Sequence, residues 1–327
     1  MIAIGSSSER ASDFTYIRAG NSADAPMAQS RAGFALMGGG DDLDEAFRFL
    51  CDRAGGGDFL ILRATGDDEY NPYLQKLCHL NSVATLIIPN RAAASDPGVG
   101  KIIHHAAAIF ISGGDQANYI NFWMGTPVQS ELNDAIHRGV PIGGTSAGLA
   151  VMGEYAYSAQ GDKPDDPNLD GKTALADPFH PRVTLVRGFL NIPILKDIIT
   201  DTHFAKRNRM GRLLAFLARL NETDCKATPS TVPRVRGIGV EEKAALLLDP
   251  DGRARVVGSG SAYFIDASNA DGPLCQAKPM TFGPYKIAKV APTHTFNVSS
   301  WKGESIDYTL SAEGGIIVSD RPGGVIY

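Results

Sequence analysis

Short apolar runs that alternate with segments of helical periodicity constrain the fold of this chain more than any other feature. These runs are Phe34–Met37, Phe59–Arg63, Ala84–Pro89, Ala107–Ser112 and Val140–Ile142. Each is too short and too continuous for a surface helix and is typical of a strand buried on both faces. Between them lie helical patterns, one of which, Pro127–Arg138, has Pro in its first turn and Gly139 just beyond its end. The alternation predicts repeated βαβ units, hence an α/β fold with a mostly parallel sheet and helices on both sides.

Three regions are predicted along the chain. Residues 1–32 lack periodicity and indicate a loose N-terminal arm, and residues 33–270 form the α/β domain. Residues 271–327 show only strand and turn patterns, which predicts a small β-rich C-terminal extension. Within the main domain, Asp249-Pro250-Asp251-Gly252 is a strong turn signal between two antiparallel strands, Ala244–Leu248 and Ala254–Val257.

Composition excludes some classes of protein and of partner. Hydrophobic residues make up 43% of the chain, too many for a disordered protein, and the net charge is −5. A mildly acidic chain has no global attraction to nucleic acid or to an anionic membrane, so neither partner is expected. No signal peptide or transmembrane helix is predicted in the sequence as given, and a cytoplasmic or an exported location both stay open.

The four cysteines include no CxxC pair, so no zinc site is expected. Cys51 lies on the apolar face of a predicted helix and is interpreted as a buried thiol. Cys225 and Cys275 lie in segments predicted to be loops and can form a disulfide if the protein is exported.

The strongest chemical signal is Gly144-Thr145-Ser146-Ala147-Gly148, a G-x-S-x-G sequence between a predicted strand and a predicted helix. Glycines are needed there because a sharp strand-to-helix turn strains the serine backbone and leaves no room for neighbouring Cβ atoms. The helix N-terminus then offers backbone N–H groups to a developing oxyanion. Ser146 is therefore predicted to be a nucleophile, and the alternative is an ordinary serine in a glycine-rich turn.

Gly113-Gly114-Asp115-Gln116 follows another predicted strand. Ligands bind at the carboxyl ends of strands in open α/β sheets, so the backbone of Gly114 is predicted to be a second oxyanion donor beside Ala147.

Seven histidines compete for the role of general base. His203 follows a predicted strand at the same edge as Ser146, which favours it over His180 in a Pro-flanked loop.

The third member of a triad is a carboxylate that orients the imidazole. The loop after Ser146 offers several that sequence alone does not separate: Glu154, Asp162, Asp165, Asp166, Asp170 and Asp177.

Beside His203, a predicted helix begins with three cations, Arg207, Arg209 and Arg212, where the helix dipole disfavours positive charge. A substrate carboxylate held by guanidinium groups would compensate, and pairing with acidic residues of the protein is the alternative.

Together these motifs resemble the cyanophycinase and peptidase E family of serine peptidases. The resemblance rests on residues 144–148, on 113–116, and on Asp201-Thr202-His203-Phe204 followed by R-x-R-x-x-R up to Arg212. It also includes Met37-Gly38-Gly39-Gly40 and Gly237-Ile238-Gly239-Val240-Glu241-Glu242, so it covers roughly residues 33–266. The family implies a flavodoxin-like doubly wound sheet of the class I glutamine amidotransferase kind and a homodimer. It also implies hydrolysis of cyanophycin, a poly-aspartate with arginine on its side chains, to β-Asp-Arg dipeptides without metal or cofactor.

Residue by residue, the resemblance implies Ser146 as nucleophile, His203 as base, and Gly114 and Ala147 as the oxyanion hole. The family's acid lies some fifteen to eighteen residues after the nucleophile, which implies Asp162, with Asp165 as the second choice. Further positions match family residues that bind substrate: Gln116, Asp201, Thr202, Arg207, Arg209 and Arg212.

Two departures from the family pattern bear on the substrate. Thr202 stands where the family has a long amide, and the interval between Ser146 and His203 is longer than in compact members. Two alternatives to cyanophycin hydrolysis are therefore kept. One is an aspartyl or isoaspartyl dipeptidase acting on short peptides, and the other is a non-catalytic binding protein or pseudoenzyme.

Overall fold

The computed structural model describes residues 13–26, 30–162, 168–221, 234–272, 274 and 278–327. Strands and helices alternate through the first half of the chain, and strands dominate after residue 236. None of the helices in the described part of the chain is long and apolar enough to cross a membrane. Cys225, Cys275, Asp165 and Asp166 lie outside the described residues, so the predictions that concern them stay as stated.

The strands of the described residues are β1 Thr15–Gly20, β2 Phe34–Met37, β3 Asp58–Arg63, β4 Ser82–Ile87, β5 Ala108–Ile111, β6 Ile142–Thr145, β7 Tyr155–Tyr157, β8 Leu185–Arg187, β9 Ile198–Asp201, β10 Arg236–Val240, β11 Ala244–Leu248, β12 Arg253–Gly258, β13 Ala262–Asp266, β14 Phe282–Val290, β15 Thr295–Asn297, β16 Lys302–Gly303, β17 Ile306–Glu313 and β18 Ile316–Ser319. The α-helices are α1 Asp44–Arg53, α2 Tyr70–Leu77, α3 Arg91–Ala94, α4 Pro97–His105, α5 Gln116–Trp123, α6 Pro127–His137, α7 Ala147–Ala150, α8 Gly171–Ala176 and α9 Met210–Asn221.

The first sheet has ten strands in the order β1-β4-β3-β5-β6-β2-β11-β12-β15-β16. Its centre, from β4 to β2, is parallel, as the apolar runs predict. Side chains on β2 point alternately to two clusters, Phe34 and Leu36 to one and Ala35 and Met37 to the other. Helices pack on both faces, because α1 and α2 contribute to one cluster and α4 to α6 to the other.

The second sheet has eight strands in the order β18-β17-β14-β13-β10-β9-β7-β8. Only β7, β9 and β10 pair in parallel in it. Both sheets are therefore mixed, which corrects the expectation of one mostly parallel sheet. The difference arises because antiparallel strands flank the parallel ones. In the first sheet, β1 pairs with β4, and β2 pairs with β11, which forms with β12 the hairpin that the turn at Asp249–Gly252 predicts. In the second sheet, β13 pairs antiparallel with β10.

Two regions that the sequence indicates as appendages contribute strands to the sheets. Within residues 1–32, the segment Thr15–Gly20 pairs antiparallel with β4 and covers the edge of the first sheet. From the segment 271–327, β14 pairs with β13 in the second sheet, whereas β15 pairs with β12 in the first. The β-rich character of this segment is as predicted, but its strands extend both sheets instead of lying apart from them.

Cys51 is not a free thiol. It forms a disulfide with Cys78, with Cα atoms 6.1 Å apart, and both residues are buried. Cys51 lies on the buried face of α1, and Cys78 directly follows α2, so the bond joins two helices packed on the same face of the first sheet. The sequence interpretation of Cys51 was correct about burial and wrong about the thiol, because the spacing of 27 residues gave no sign of the pairing.

Candidate active site

Ser146 lies in the sharp turn between β6 and α7. Its backbone has φ 51° and ψ −115°, a conformation that non-glycine residues rarely adopt. The flanking glycines are required by close backbone approach, since a Cβ on Gly144 would lie 2.6 Å from the carbonyl carbon of Gly148. The strained elbow that the G-x-S-x-G motif predicts is thus present, with the Ser146 side chain at the carboxyl end of the parallel strands.

His203 follows β9 and reaches Ser146 from the second sheet. Its Nε2 lies 2.7 Å from Ser146 Oγ. His203 N–H donates to the carbonyl of Gly38 at 2.7 Å, which fixes the backbone of the histidine against the loop after β2. His180, the other histidine considered, accepts a backbone hydrogen bond from Arg182 at its Nδ1. The structure therefore brings together Ser146 and His203, the pair that sequence position favours.

The carboxylate at the other ring nitrogen belongs to Glu242. Its Oε1 lies 2.7 Å from His203 Nδ1. Glu242 stands between β10, in the second sheet, and β11, in the first, and is more exposed than the histidine. A hydrogen bond at this position holds the imidazole in the tautomer whose Nε2 accepts a proton from the serine.

Asp162 is not the partner of His203. Its carboxylate accepts from Tyr157 Oη at 2.8 Å and from Arg182 at 2.9 Å. The choice of Asp162 is therefore corrected to Glu242, which lies 39 positions after His203 and was not among the carboxylates considered. A signal was present: Gly237–Glu242 is part of the family resemblance and places two carboxylates at a strand end on the same sheet edge.

The other carboxylates of the loop after Ser146 have separate partners among the described residues. Glu154 binds Arg187 and the backbone N–H of Asp197. Asp170 caps the N-terminus of α8, and Asp177 binds Lys278.

Glycines after β2 make room for the histidine and its carboxylate. A Cβ on Gly39 would lie 2.6 Å from His203 Nε2, and one on Gly40 would lie 3.2 Å from Glu242 Cβ. Gly39 also has φ 96°, which L side chains rarely adopt. The Met37–Gly40 motif thus has a direct structural reason, which is the close packing of backbone against the imidazole.

Burial and the neighbouring arginines shift the pKa of the His203 imidazole in the same direction. Burial lowers the pKa of His203, the positive charges of Arg207 and Arg209 lower it further, and the hydrogen bond to Glu242 opposes them. The net effect is a pKa below the ordinary value. The same hydrogen bond lowers the pKa of Glu242, so that carboxylate stays ionised. At neutral pH the site therefore holds a neutral imidazole between a hydroxyl and a carboxylate.

The sequence predicts that the backbone N–H groups of Gly114 and Ala147 form an oxyanion hole. Ala147 is the first residue of α7, and a Cβ on Gly113, the residue before Gly114, would lie 3.6 Å from Ser146 Cβ. Tyr119 Oη donates to the carbonyl of Ser112 at 2.8 Å and holds this turn in place. Gln116 begins α5, and its side chain donates to the Tyr157 carbonyl at 3.4 Å.

The residues expected to bind substrate divide into buried and exposed ones. Asp201 and Arg212 form a buried two-point ion pair, with Arg212 Nε 2.8 Å from Asp201 Oδ2. Arg209 is also buried and donates to Thr202 Oγ1 at 3.0 Å. Direct substrate contact is thus corrected for four of these residues, whose polar groups are used inside the protein: Asp201, Thr202, Arg209 and Arg212. Among the three arginines, Arg207 is exposed.

The buried ion pair is electrostatically favourable in this setting. Burial alone would raise the pKa of Asp201, but the Arg212 guanidinium outweighs it and holds that pKa below the ordinary value. The alternative stated for the arginine cluster, pairing with an acidic residue of the protein, therefore holds for Arg212 and also for Arg209, which lies 3.5 Å from Asp201 Oδ1. No group of His, Cys, Asp and Glu in the described ranges is arranged to hold a metal ion.

A strained serine, a histidine and a carboxylate linked in series on an α/β scaffold define the class of serine hydrolases. Within that class, the chain belongs to peptidase family S51, whose model matches residues 67–219. The resemblance inferred from the motifs is thereby confirmed.

Named relatives agree with the family. The chain is 30% identical over 241 residues, 70% of its length, to a cyanophycinase of Synechococcus elongatus. It is 30% identical over 182 residues, 55% of its length, to a cyanophycinase of Geminocystis herdmanii. These matches span 66% and 57% of the two relatives. A crystal structure of a peptidase from an acI-B1 Actinobacterium superposes with a TM-score of 0.51 at 16% identity, over 83% of this chain and 98% of that one, and supports the fold.

Proposed function

We propose that this chain is a serine peptidase that works through an acyl-enzyme. Ser146 Oγ attacks the scissile carbonyl carbon while His203 Nε2 takes its proton, and Glu242 stabilises the imidazolium that forms. The N–H groups of Ala147 and Gly114 receive the oxyanion. The imidazolium then gives its proton to the leaving amine, and water repeats the sequence to release the acid and regenerate Ser146. The observation that carries this proposal is the pair of 2.7 Å contacts that His203 makes with Ser146 and Glu242.

The substrate that we propose is cyanophycin, cleaved to β-Asp-Arg dipeptides. The cyanophycinases among the relatives support this choice. Beside His203, the guanidinium of Arg207 is exposed and donates to Asn168 Oδ1 at 3.4 Å, and it has further N–H groups for a carboxylate. Each arginine branch of cyanophycin keeps a free α-carboxylate. Gln116 begins α5, two residues after Gly114, and is proposed to offer its amide to the substrate.

One experiment separates this proposal from its alternatives. The purified protein is incubated with cyanophycin, β-aspartyl dipeptides and α-aspartyl dipeptides, and the products are identified by mass spectrometry. Release of β-Asp-Arg from the polymer supports the proposal, whereas cleavage of dipeptides alone identifies a dipeptidase. Ser146→Ala is the control, and residual acceleration of at most about 10³–10⁴-fold over water is expected from it. Lack of any cleavage, with no labelling of Ser146 by a fluorophosphonate, identifies a binding protein or pseudoenzyme.

Several finer descriptions belong to the same proposal. We propose that the parallel centre of the first sheet is flavodoxin-like. Its strands lie in the order β4-β3-β5-β6-β2. If these strands are numbered from β3 along the chain and β2 is placed last, the order becomes 2-1-3-4-5, which is that of flavodoxin. The boundaries of the three regions, after residues 32 and 270, are also kept as a proposal. A homodimer is a further proposal. Light scattering on the purified protein tests the oligomeric state. The mechanism uses no metal or cofactor, so chelators are expected to leave the activity unchanged.

A further inference from the structure

Tyr327 is hydrogen-bonded to the loop that carries His203. Its Oη donates to Asn208 Oδ1 at 3.0 Å and accepts from the backbone N–H of Met210 at 2.9 Å. Met210 is the first residue of α9, and the N–H groups at a helix start have no partner within the helix. A single phenol hydroxyl thus joins the end of the loop 203–209 to the start of α9.

The backbone of this loop needs support from its surroundings. His203 and Asn208 have φ 46° and φ 49°, although neither is a glycine. Such conformations are strained and persist only where neighbouring contacts impose them. The Gly38 carbonyl holds the loop at His203, and Tyr327 holds it at Asn208.

The ring of Tyr327 packs against residues next to the triad. It meets the ring of Phe204 edge to face, with centroids 6.1 Å apart, and that of Tyr263 with centroids 5.9 Å apart. Phe204 directly follows His203. Tyr263 Oη donates to Glu241 Oε1 at 2.6 Å, and Glu241 directly precedes Glu242. The two tyrosines therefore contact the chain neighbours of both the histidine and its carboxylate.

Strands β17 and β18 hold Tyr327 in turn. Tyr308 Oη donates to the carbonyl of Ile326 at 2.6 Å, and Ser319 Oγ donates to that of Val325 at 2.8 Å. Arg321 donates to the carbonyl of Tyr327 at 3.0 Å. The backbone of residues 325–327 is thereby fixed to the second sheet.

We propose that Tyr327 is a positioning residue that keeps the His203 imidazole between Ser146 and Glu242. It acts through Asn208, Met210 and Phe204 and does not touch the reacting atoms. The β-rich segment 282–327 thus has a role in the site, because its strands hold the residue that braces the histidine loop. This inference rests on the proposed acyl transfer by Ser146 and His203.

The test uses two variants that each lose one phenol hydroxyl. Tyr327→Phe keeps the ring and removes the bonds to Asn208 and Met210. The matched control is Tyr285→Phe, because Tyr285 Oη donates at 2.9 Å to the Leu214 carbonyl, on the same helix and from the same β-rich segment. Tyr327→Phe is expected to lower kcat about tenfold with KM within about twofold, the scale of one net hydrogen bond. Tyr285→Phe is expected to lower the unfolding temperature but to leave kcat within about twofold.

A second measurement does not depend on turnover. In a Ser146→Ala background, NMR follows solvent exchange of the proton on His203 Nδ1, which faces Glu242. Faster exchange after Tyr327→Phe than after Tyr285→Phe supports the proposal. An unchanged kcat and exchange rate in Tyr327→Phe, or equal losses in both variants, would overturn it. Failure of the proposed function gives a different result, because the unmodified protein then cleaves none of the peptides. The comparison of proton exchange rates between the two variants still tests whether Tyr327 positions His203.

Discussion

Gly39 and His203 lie so close together that no side chain fits between them, since a Cβ on Gly39 would come within 2.6 Å of the imidazole Nε2. Gly39→Ala is therefore expected to displace the ring from Ser146 and to lower kcat/KM by about 100-fold or more, as small misplacements of reacting groups do. Gly314→Ala is the control, because Gly314 also has positive φ but an added Cβ there meets nothing within 4 Å. Kinetics and thermal unfolding of both variants check this. Equal losses of activity would point to backbone strain alone.

Glu242→Gln is expected to lower kcat by about 10³–10⁴-fold with little change in KM, because an amide neither fixes the tautomer nor stabilises the imidazolium. Asp162→Asn is the matched change at the carboxylate that binds Tyr157 and Arg182, and a loss below about tenfold is expected there. Steady-state kinetics on the same peptide compares the two. The reverse ranking would return the role of the acid to Asp162.

The acid limb of the pH profile should report His203. Neutral imidazole is the active base, so kcat/KM rises with pH as His203 loses its proton and then levels off. Because burial and the neighbouring arginines lower its pKa, the midpoint is expected below the ordinary value of 6.5. Arg207→Gln removes one of those charges and should move the midpoint to higher pH, whereas Arg253→Gln, at an exposed arginine of the β11–β12 hairpin, should not move it. NMR titration of His203 in the Ser146→Ala background measures the shift without substrate. A midpoint that moves down in Arg207→Gln would contradict the electrostatic account.

Asp201→Asn is expected to destabilise the fold strongly. The change leaves the Arg212 guanidinium buried without its counter-charge, and breaking a buried pair in this way costs about 3–5 kcal/mol. The control is Asp251→Asn, which breaks an ion pair with Arg253 in which both side chains are exposed, and its unfolding midpoint should be almost unchanged. Urea unfolding followed by circular dichroism compares them. If the two variants unfold at similar urea concentrations, the Asp201–Arg212 pair contributes little to the free energy of unfolding.

Local sequence patterns predicted the parts of the structure that local forces decide. The buried strands, the hairpin at Asp249–Gly252 and the elbow at Ser146 all follow from short-range periodicity and turn chemistry. His203 was found because the carboxyl ends of parallel strands share an edge, a rule that needs no knowledge of side-chain contacts.

Contacts between distant parts of the chain were harder to predict from the sequence. Glu242 lies 39 positions from His203 and becomes its neighbour only when β9 and β10 pair in parallel. The edge strand β1 has no apolar run, and it forms because the unpaired edge of β4 offers it backbone partners. Cys51 and Cys78 meet through the packing of α1 against α2, which periodicity does not determine.

The proposed nucleophile and the proposed base are carried by different sheets. Ser146 directly follows β6 of the first sheet, His203 follows β9 of the second, and Glu242 stands on the connection from β10 to β11, where the chain passes from one sheet to the other. Their hydrogen bonds therefore form only while the two sheets keep one relative alignment. A slip of one sheet along the other by an ångström or two would keep the strand pairing within each sheet, disturb the core cluster that the two sheets share, and disconnect the proposed proton relay. Activity would then be lost before the protein unfolds. The activity is therefore a sensitive measure of the relative position of the two sheets.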